Sequence, residues 1–572
     1  MKLVLKAKLL FISSLALVAL PFFVSAAQQI NDTASFYVDS EYELDGKDEV
    51  TGILMEISDN AYFYVEDSWY RDLNAAERNN VKHNLTVLAD EFDDNIYPQL
   101  TSIYGQEWKP GIDNDSKITV LLHQMQEKIA GYFRTVDEYR KIQAPTSNER
   151  EMVYLNLSYI NEEILSSYLA HEFTHLITFN QKNRLQQKEE DLWLNELRAE
   201  YAPTFLGYDD YHQESNLNKR LSVFISNPSD SLVEWKSEDR DYGVINVFAQ
   251  YLVKEYGIEI LVDSLRSPYV GIASLNYALK LHGVDKDMGE VFTDWAVAVL
   301  INDCQLGEQY CYQRESLKYL SIAPNLLYIP TTQEANMSLV YAIKQWSGHW
   351  YKIVGGGKGL ELEFESLSGD KFNVAYLIKR DNKIEKVSFL ELDDQGKGKI
   401  ELPYFSQDNQ SLIIVPTITS QISNFSENEP FWRFALDIKS IENGQNSNSD
   451  TSTGQMTPQQ LKAKIIQVIA LINEIKQLMG QEQVTCSSFN TNLYFGLRNN
   501  SEVKCLQQFL SDQDKDIYPE GLITGNFLTL TKEAVIRFQE KYRQDILEPL
   551  GLEHGTGYVG PKTREKINQL LQ

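Results

Sequence analysis

His171-Glu172-Phe173-Thr174-His175 lies inside a run, Glu162 to Asn183, whose pattern predicts a helix. Positions four apart on a helix sit one turn above each other on the same face. Two imidazoles placed this way can grip a single Zn²⁺, at about 2.0–2.1 Å each. Glu172 leans toward that face, where it can take a proton from water activated by the metal. The chain has eight histidines in all, so the pairing is not a by-product of abundance. The competing reading is two histidines solvated on a helix surface.

A zinc ion also needs a third protein ligand and an open position. Trp193-Leu194-Asn195-Glu196-Leu197-Arg198-Ala199-Glu200-Tyr201 offers one in Glu196. Its distance from His175 suits the end of one helix, a polar turn at about 182–191 and a second helix returning past the first. Glu200 follows one helical turn later on the same face. There it can accept a hydrogen bond from the far nitrogen of a ligand histidine and fix its tautomer. An exposed acidic helix face is the alternative, but Trp193, Leu194, Leu197 and Tyr201 give this helix a side to bury.

Together these motifs resemble the gluzincin metallopeptidases. Within that clan, W-L-N-E followed by A-E-Y is most similar to the hyicolysin-like family of secreted bacterial peptidases. The resemblance covers roughly residues 50 to 300. It implies a multidomain chain with an α+β catalytic region, in which an N-terminal mixed sheet with helices precedes a helical lobe. It further implies His171, His175 and Glu196 as zinc ligands, Glu172 as the base and Glu200 as the group that orients a ligand histidine. Leu197-Arg198 departs from the family, which commonly carries Gly and a small or apolar residue there. Similar enzymes take an oxyanion donor from a tyrosine or histidine of the later helical region. Tyr242, where Asp241-Tyr242-Gly243 opens an apolar-periodic helix, is the first candidate for that catalytic role. His212, in the acidic loop from Tyr208, is its rival, and a tyrosine merely packed at a helix start is the plain alternative.

Lys2, Lys6 and Lys8, the apolar run Leu9 to Val24 and the small residues Val24-Ser25-Ala26 read as a signal peptide over residues 1–27. Cutting is expected after Ala26 or Ala27, with an uncleaved anchor as the alternative. No later stretch has the length and apolarity to span a bilayer. The mature protein is therefore expected to be secreted, either extracellular or associated with the cell wall. Cys304 with Cys311, and Cys486 with Cys505, fall close together and suit local disulfides in an oxidising exterior. A zinc site built from all four matches no common ligand spacing.

The net charge of −28 disfavours a nucleic-acid partner, because phosphate binding needs basic surface. It also attracts divalent cations. Ile112-Asp113-Asn114-Asp115-Ser116-Lys117 reads either as a polar turn before a strand or as a Ca²⁺ loop without the bidentate Glu of an EF-hand.

The chain is too long for one domain. Residues 28–330 hold the metallopeptidase pattern, and 28–50 are open to a pro-segment role. Strands are predicted at 52–57, 61–65, 118–122 and 152–157, with a helix at about 74–100. The edge of that sheet suits an extended peptide or protein substrate bound by strand addition. Residues 335–442 alternate in short runs between turns, an all-β sandwich signal. Residues 443–456 read as a flexible linker. Residues 457–480 form an amphipathic, coiled-coil-like helix whose seam serves either self-association or packing onto a neighbour.

In residues 486–572, Leu506-Gln507-Gln508-Phe509-Leu510, Ala534-Val535-Ile536-Arg537-Phe538-Gln539 and Gly560-Pro561-Lys562-Thr563 occur in order. They resemble the small all-α peptidoglycan-binding domain of secreted bacterial wall enzymes. An insertion at 542–555 departs from its compact form. These motif residues are mostly core, so a glycan partner and a protein partner both stay open.

The function expected is a secreted zinc endopeptidase held at the bacterial cell wall. A peptidoglycan hydrolase acting on murein peptides and a non-catalytic surface binding protein are the alternatives.

Overall fold

The computed structural model describes residues 28–210, 215–330, 335–381, 383–403, 405, 410–419, 430–441 and 488–571. Within the last range it omits 496, 498–499, 514–516, 519–522, 524, 528 and 553. The expected signal peptide, His212, the linker, the 457–480 helix and Cys486 lie outside the described residues.

The first unit is built on a six-stranded mixed sheet of β1 (Thr33–Tyr37), β2 (Glu49–Ile57), β3 (Ala61–Glu66), β4 (Ile118–His123), β5 (Gly131–Phe133) and β6 (Met152–Asn156). The spatial order is β1-β2-β3-β4-β6-β5, which leaves β5 at an edge. β4 runs parallel to both β3 and β6, while β5 pairs antiparallel with β6. The central strands are buried on both faces, which is why they read as continuous apolar runs. Phe63, Val65, Val120, Val153 and Leu155 face the helices. Tyr62, Tyr64, Leu121, Met152 and Tyr154 face the opposite way with Phe36 and Leu54.

A helix, Ala75–Glu91, crosses the first face. It starts at an Asn74–Glu77 capping box and continues through a wider turn into Tyr97–Tyr104. Val81, Leu85, Leu88 and Phe92 are all buried along it. The H-E-x-x-H residues sit on Leu165–Thr178, extended by a wide turn, Phe179–Arg184. Leu169, Ala170, Phe173, Leu176 and Ile177 fill the core, which leaves His171, Glu172 and His175 for the other side. Leu192–Phe205 and Asp239–Tyr256 follow, packed against one another, and the former also packs on the H-E-x-x-H helix.

The second unit faces two antiparallel-rich sheets across a core of Ile353, Leu362, Phe364, Ile414 and Phe434. One sheet has the order β13 (Lys397–Leu402), β10 (Gly359–Ser366), β15 (Phe431–Ile441), β8 (Asn336–Lys344). The other runs β12 (Lys383–Phe389), β11 (Phe372–Arg380), β14 (Ser411–Ile418), β9 (Tyr351–Gly355), β7 (Asn325–Ile329). β7 lies before the pattern break at 335 and joins this sheet parallel to β9. Its apolar residues are too exposed to mark it as a strand by alternation.

This second sheet is buried on its outer face as well. Ala375, Leu377, Ile413 and Val415 enter the same core as Phe292 and Trp295 of the helix Met288–Ile301. Trp350 Nε1 donates to the Ala296 carbonyl at 2.7 Å, and Thr293 Oγ1 meets Thr417 Oγ1 at 2.8 Å. The sandwich and the helical lobe therefore share one apolar interior.

The helices Ser501–Gln513, Thr529–Lys541 and Pro561–Leu570 enclose a separate core around Leu506, Phe509, Val535 and Phe538. Gln507 accepts from the Gly525 amide at 2.8 Å and donates to Thr531 Oγ1 at 2.9 Å. Gln539 repeats the arrangement one helix later, with Gly557 at 3.0 Å and Thr563 at 3.0 Å. The recurring Gln, Gly and Thr of this region thus brace an internal repeat, a regularity that the motif reading missed. The unit touches the first one. Tyr139 lies 4.4 Å from the Phe495 ring, and Lys532 Nζ sits 3.9 Å over Tyr139.

Cys304 and Cys311 form a disulfide. Cys505 is also disulfide-bonded. Among the described residues, no helix is long and apolar enough to cross a membrane.

Ile413→Ala should cost about 2–5 kcal/mol, with lobe and sandwich unfolding in one transition, because the side chain sits in their shared interior. Urea melts followed by tryptophan fluorescence and by circular dichroism check it, and separate transitions would show that the two units fold independently.

Candidate metal centre

His171, His175 and Glu196 converge. Their ligand-type atoms all lie within 4.8 Å of one another. His171 Nε2 and His175 Nε2 are 3.3 Å apart. Glu196 Oε2 is 3.3 Å from the first and 3.6 Å from the second. A tetrahedral ion with bonds of about 2.0–2.1 Å spaces its ligand atoms about 3.3–3.4 Å apart, so this triangle has the right size. Glu196 Oε2 is buried and accepts no hydrogen bond. Two imidazole nitrogens and a carboxylate oxygen thus face one point, and zinc accepts that donor set.

The electrostatics also favour a positive charge there. Burial works to lower the pKa of His175, but the Glu196 carboxylate outweighs it and raises the imidazole to about 9. Burial works to raise the Glu196 carboxyl, and His175 and His171 outweigh it, holding that group below the usual carboxylate range. Burial pushes Glu172 up to about 6, against the pull of the two histidines.

Glu200 lies close by but does not make the expected hydrogen bond. Its Oε1 is 3.7 Å from His171 Nδ1, beyond hydrogen-bond length. Stronger partners hold it: Arg220 Nη2 at 2.8 Å, Asn216 Nδ2 at 2.8 Å and Asn246 Nδ2 at 2.9 Å. Burial acts to raise its carboxyl, yet Arg220 and then His171 pull it below its ordinary value. The sequence reading missed these three residues. Asn246 had left a signal, as a lone amide inside the apolar run Val244–Phe248.

Tyr242 sits in the first turns of Asp239–Tyr256, under the Arg220 guanidinium at 4.3 Å and edge-on to Trp235 at 4.9 Å. Burial, then the charge of Glu196, pushes its hydroxyl well above the ordinary tyrosine value. It therefore stays protonated and able to donate.

β5 closes the other side of the site. A Cβ on Gly131 would come within 2.7 Å of the Tyr154 carbonyl and 3.1 Å of the Glu172 side chain. Only a residue without a side chain lets the edge strand lie this close to Glu172. The Phe133 ring stacks on His175 at 6.3 Å. Neither residue is identifiable from sequence, because each matters only through contact with a helix far along the chain.

Arg198, the departure from the family pattern, faces away from the metal triangle. It is fully buried and donates to Glu190 Oε2 at 2.9 Å and Ser264 Oγ at 2.8 Å. Lys182 Nζ joins from the wide turn, 2.9 Å from the Ser264 carbonyl. This network ties the two site-bearing helices to Glu259–Arg266.

No family model matches the chain. The chain is similar to the neutral metalloprotease ShpI of Staphylococcus hyicus, with 26% identity over 268 residues, covering 42% of this chain and 56% of the relative. It thus spans little more than half of that relative's length. Among solved structures, the M60 catalytic domain with the CBM51-1 and CBM51-2 domains of Clostridium perfringens ZmpB aligns over 67% of this chain and 59% of its own. Identity there is 8% and the TM-score 0.24. The pre-peptidase C-terminal domain of Bacillus anthracis collagenase aligns over 20% of this chain and 96% of its own, at 8% identity and a TM-score of 0.13. Neither structural likeness is strong enough to carry an argument.

Glu196→Ala should strip the metal, whereas Glu200→Ala should retain part of it with affinity or activity down roughly 10–100-fold. Metal content after dialysis distinguishes them. Complete loss in Glu200→Ala alongside retention in Glu196→Ala would exchange the two roles.

Proposed function

We propose that this chain is a zinc-dependent endopeptidase that hydrolyses peptide bonds. The observation that carries the reading is the triangle of His171, His175 and Glu196, with Glu172 beside it and a free sheet edge alongside. Its likeness to a neutral metalloprotease adds support at the level of a metal-dependent peptidase in general.

His171, His175 and Glu196 would hold the ion. Zinc bound there supplies Lewis acidity to a substrate carbonyl and to water. Glu172 accepts the proton from the attacking water and passes it to the departing amine, a role suited to a carboxyl raised to about 6. Tyr242 donates toward the developing oxyanion, and Arg220 stacked on its ring keeps it in place. Glu200 positions His171 by charge across 3.7 Å while Arg220 and two asparagines fix its own orientation. The substrate lies extended along the outer edge of β5, its backbone paired with that strand.

The N-terminal segment directs export, and the C-terminal helical unit holds the enzyme at the cell wall. That second role rests on the resemblance of the motifs at 506–510, 534–539 and 560–563 to those of peptidoglycan-binding domains.

Glu172→Gln should retain zinc while losing most turnover of a peptide substrate. Near-native activity in that variant would make the assigned base wrong. Casein and purified murein used side by side as substrates distinguish a protein-cleaving enzyme from a murein hydrolase.

Removing residues 486–572 should leave casein cleavage intact and abolish co-sedimentation with bacterial cell walls. Unchanged sedimentation would sink the anchoring role.

A further inference from the structure

The C-terminal helical unit does not stand clear of the rest of the chain. Val136 and Tyr139, both from the segment that follows β5, pack against its core. Tyr139 meets the Phe495 ring at 4.4 Å, and Lys532 Nζ lies over the tyrosine ring at 3.9 Å. Lys532 is 7% exposed, and burial lowers its ammonium to about 8. The Phe495 ring, 5.9 Å away, gives that charge a second π face. Among the described residues Lys532 makes no ion pair. A buried ammonium without a paired carboxylate is costly, and the two aromatic faces offset that cost. Gly557, with φ +74°, leaves room for the lysine stem, since a Cβ there would come within 2.6 Å of it. The contact is thus built from both units.

Its position bears on the site. Gly131 lies against Glu172 and Phe133 stacks on His175, so β5 borders the metal triangle along its length. Val136 and Tyr139 come after the C-terminal end of that strand. Tyr139 also meets Phe179, the residue that follows the H-E-x-x-H helix, at 6.0 Å. Phe179 in turn meets Phe133 at 6.3 Å. The C-terminal unit is therefore seated where the edge strand and the H-E-x-x-H helix both run out, and it bridges the gap between them. Ring to ring, steps of 6.3, 6.3, 6.0 and 4.4 Å lead from His175 to Phe495. The unit thus stands within roughly seven residues' length of extended chain from the metal triangle.

We propose that the C-terminal helical unit walls off one end of the substrate cleft, so that the enzyme takes chains that are unfolded on that side and rejects a folded domain there. The inference rests on the peptidase reading and on a substrate paired with β5. A single extended chain is narrow enough to leave the cleft beside the wall. A folded domain in the same place would need the volume held by Phe495, Lys532 and the helices behind them. Exclusion by a clash takes nothing from the accepted substrate, so a flexible protein such as casein is cut with or without the wall. The other end of the cleft, upstream of Gly131, carries no such restriction.

The test uses the full chain loaded with zinc and three substrates. One is a flexible peptide with a single cleavage site. The others carry a small folded domain fused about five residues from that site, on one side or on the other. The domain should lower kcat/KM at least roughly tenfold on one side only. Lys532→Glu sets a carboxylate against the π faces, and Val136→Lys sets a charge into the same contact from the other unit. Each should bring the two fusions within about twofold of one another, with zinc content and turnover of the free peptide unchanged. Lys532→Arg, which keeps a cation on the rings, should keep the asymmetry of the parent. Equal cleavage of both fusions by the parent, or an asymmetry that persists in both charge variants, would overturn the wall. If the parent leaves the free peptide whole, the peptidase reading itself fails, and the wall with it.

Discussion

Two helices drawn from separate stretches of chain meet so that two imidazole nitrogens and one carboxylate oxygen stand 3.3–3.6 Å apart. Everything else near the site serves to make that crowding tolerable. Glu172 and Glu200 are buried and Glu196 half-buried close to the histidines, and the fold offsets their charge by different means. Glu196 is held ionised by the histidines. Glu200 is neutralised by Arg220 and by two amides. Glu172 is left to rise toward neutrality. A carboxyl raised toward neutrality and one that stays ionised are thus obtained from the same residue type by changing its surroundings.

The helix crossing is maintained by polar contacts as well as by packing. Behind the site, buried Arg198 donates to Glu190, Ser264 Oγ and the Leu261 carbonyl, and buried Lys182 donates to the Ser264 carbonyl. Removing one member would leave another charge unpaired, so this network resists small relative shifts of the helices. The sandwich adds stiffness from the opposite side, because Met288–Ile301 packs in the same interior as β11 and β14.

One short stretch, 131 to 139, gathers several demands. Gly131 lies against Glu172, and Phe133 stacks on His175. Tyr139 meets Phe495 and Lys532 of the C-terminal helical unit. The segment that starts in β5 therefore packs against the site at one end and against the C-terminal unit at the other.

Helical periodicity was enough to place His171 and His175 on one face and to single out Glu196 and Glu200, because spacing within a helix is a local property. The strand runs at 61–65, 118–122 and 152–157 were legible for a similar reason: double-sided burial leaves an unbroken apolar run. β7 escaped because its exposed Leu326 and Tyr328 carry no alternation, and only pairing with β9 makes it a strand. Arg220, Asn216 and Asn246 could not be assigned to Glu200 in advance, and neither could Gly131 to Glu172. Side-chain periodicity is written within a segment of the chain. Which buried charge finds a partner, and which is left wanting one, depends on segments brought together from far apart.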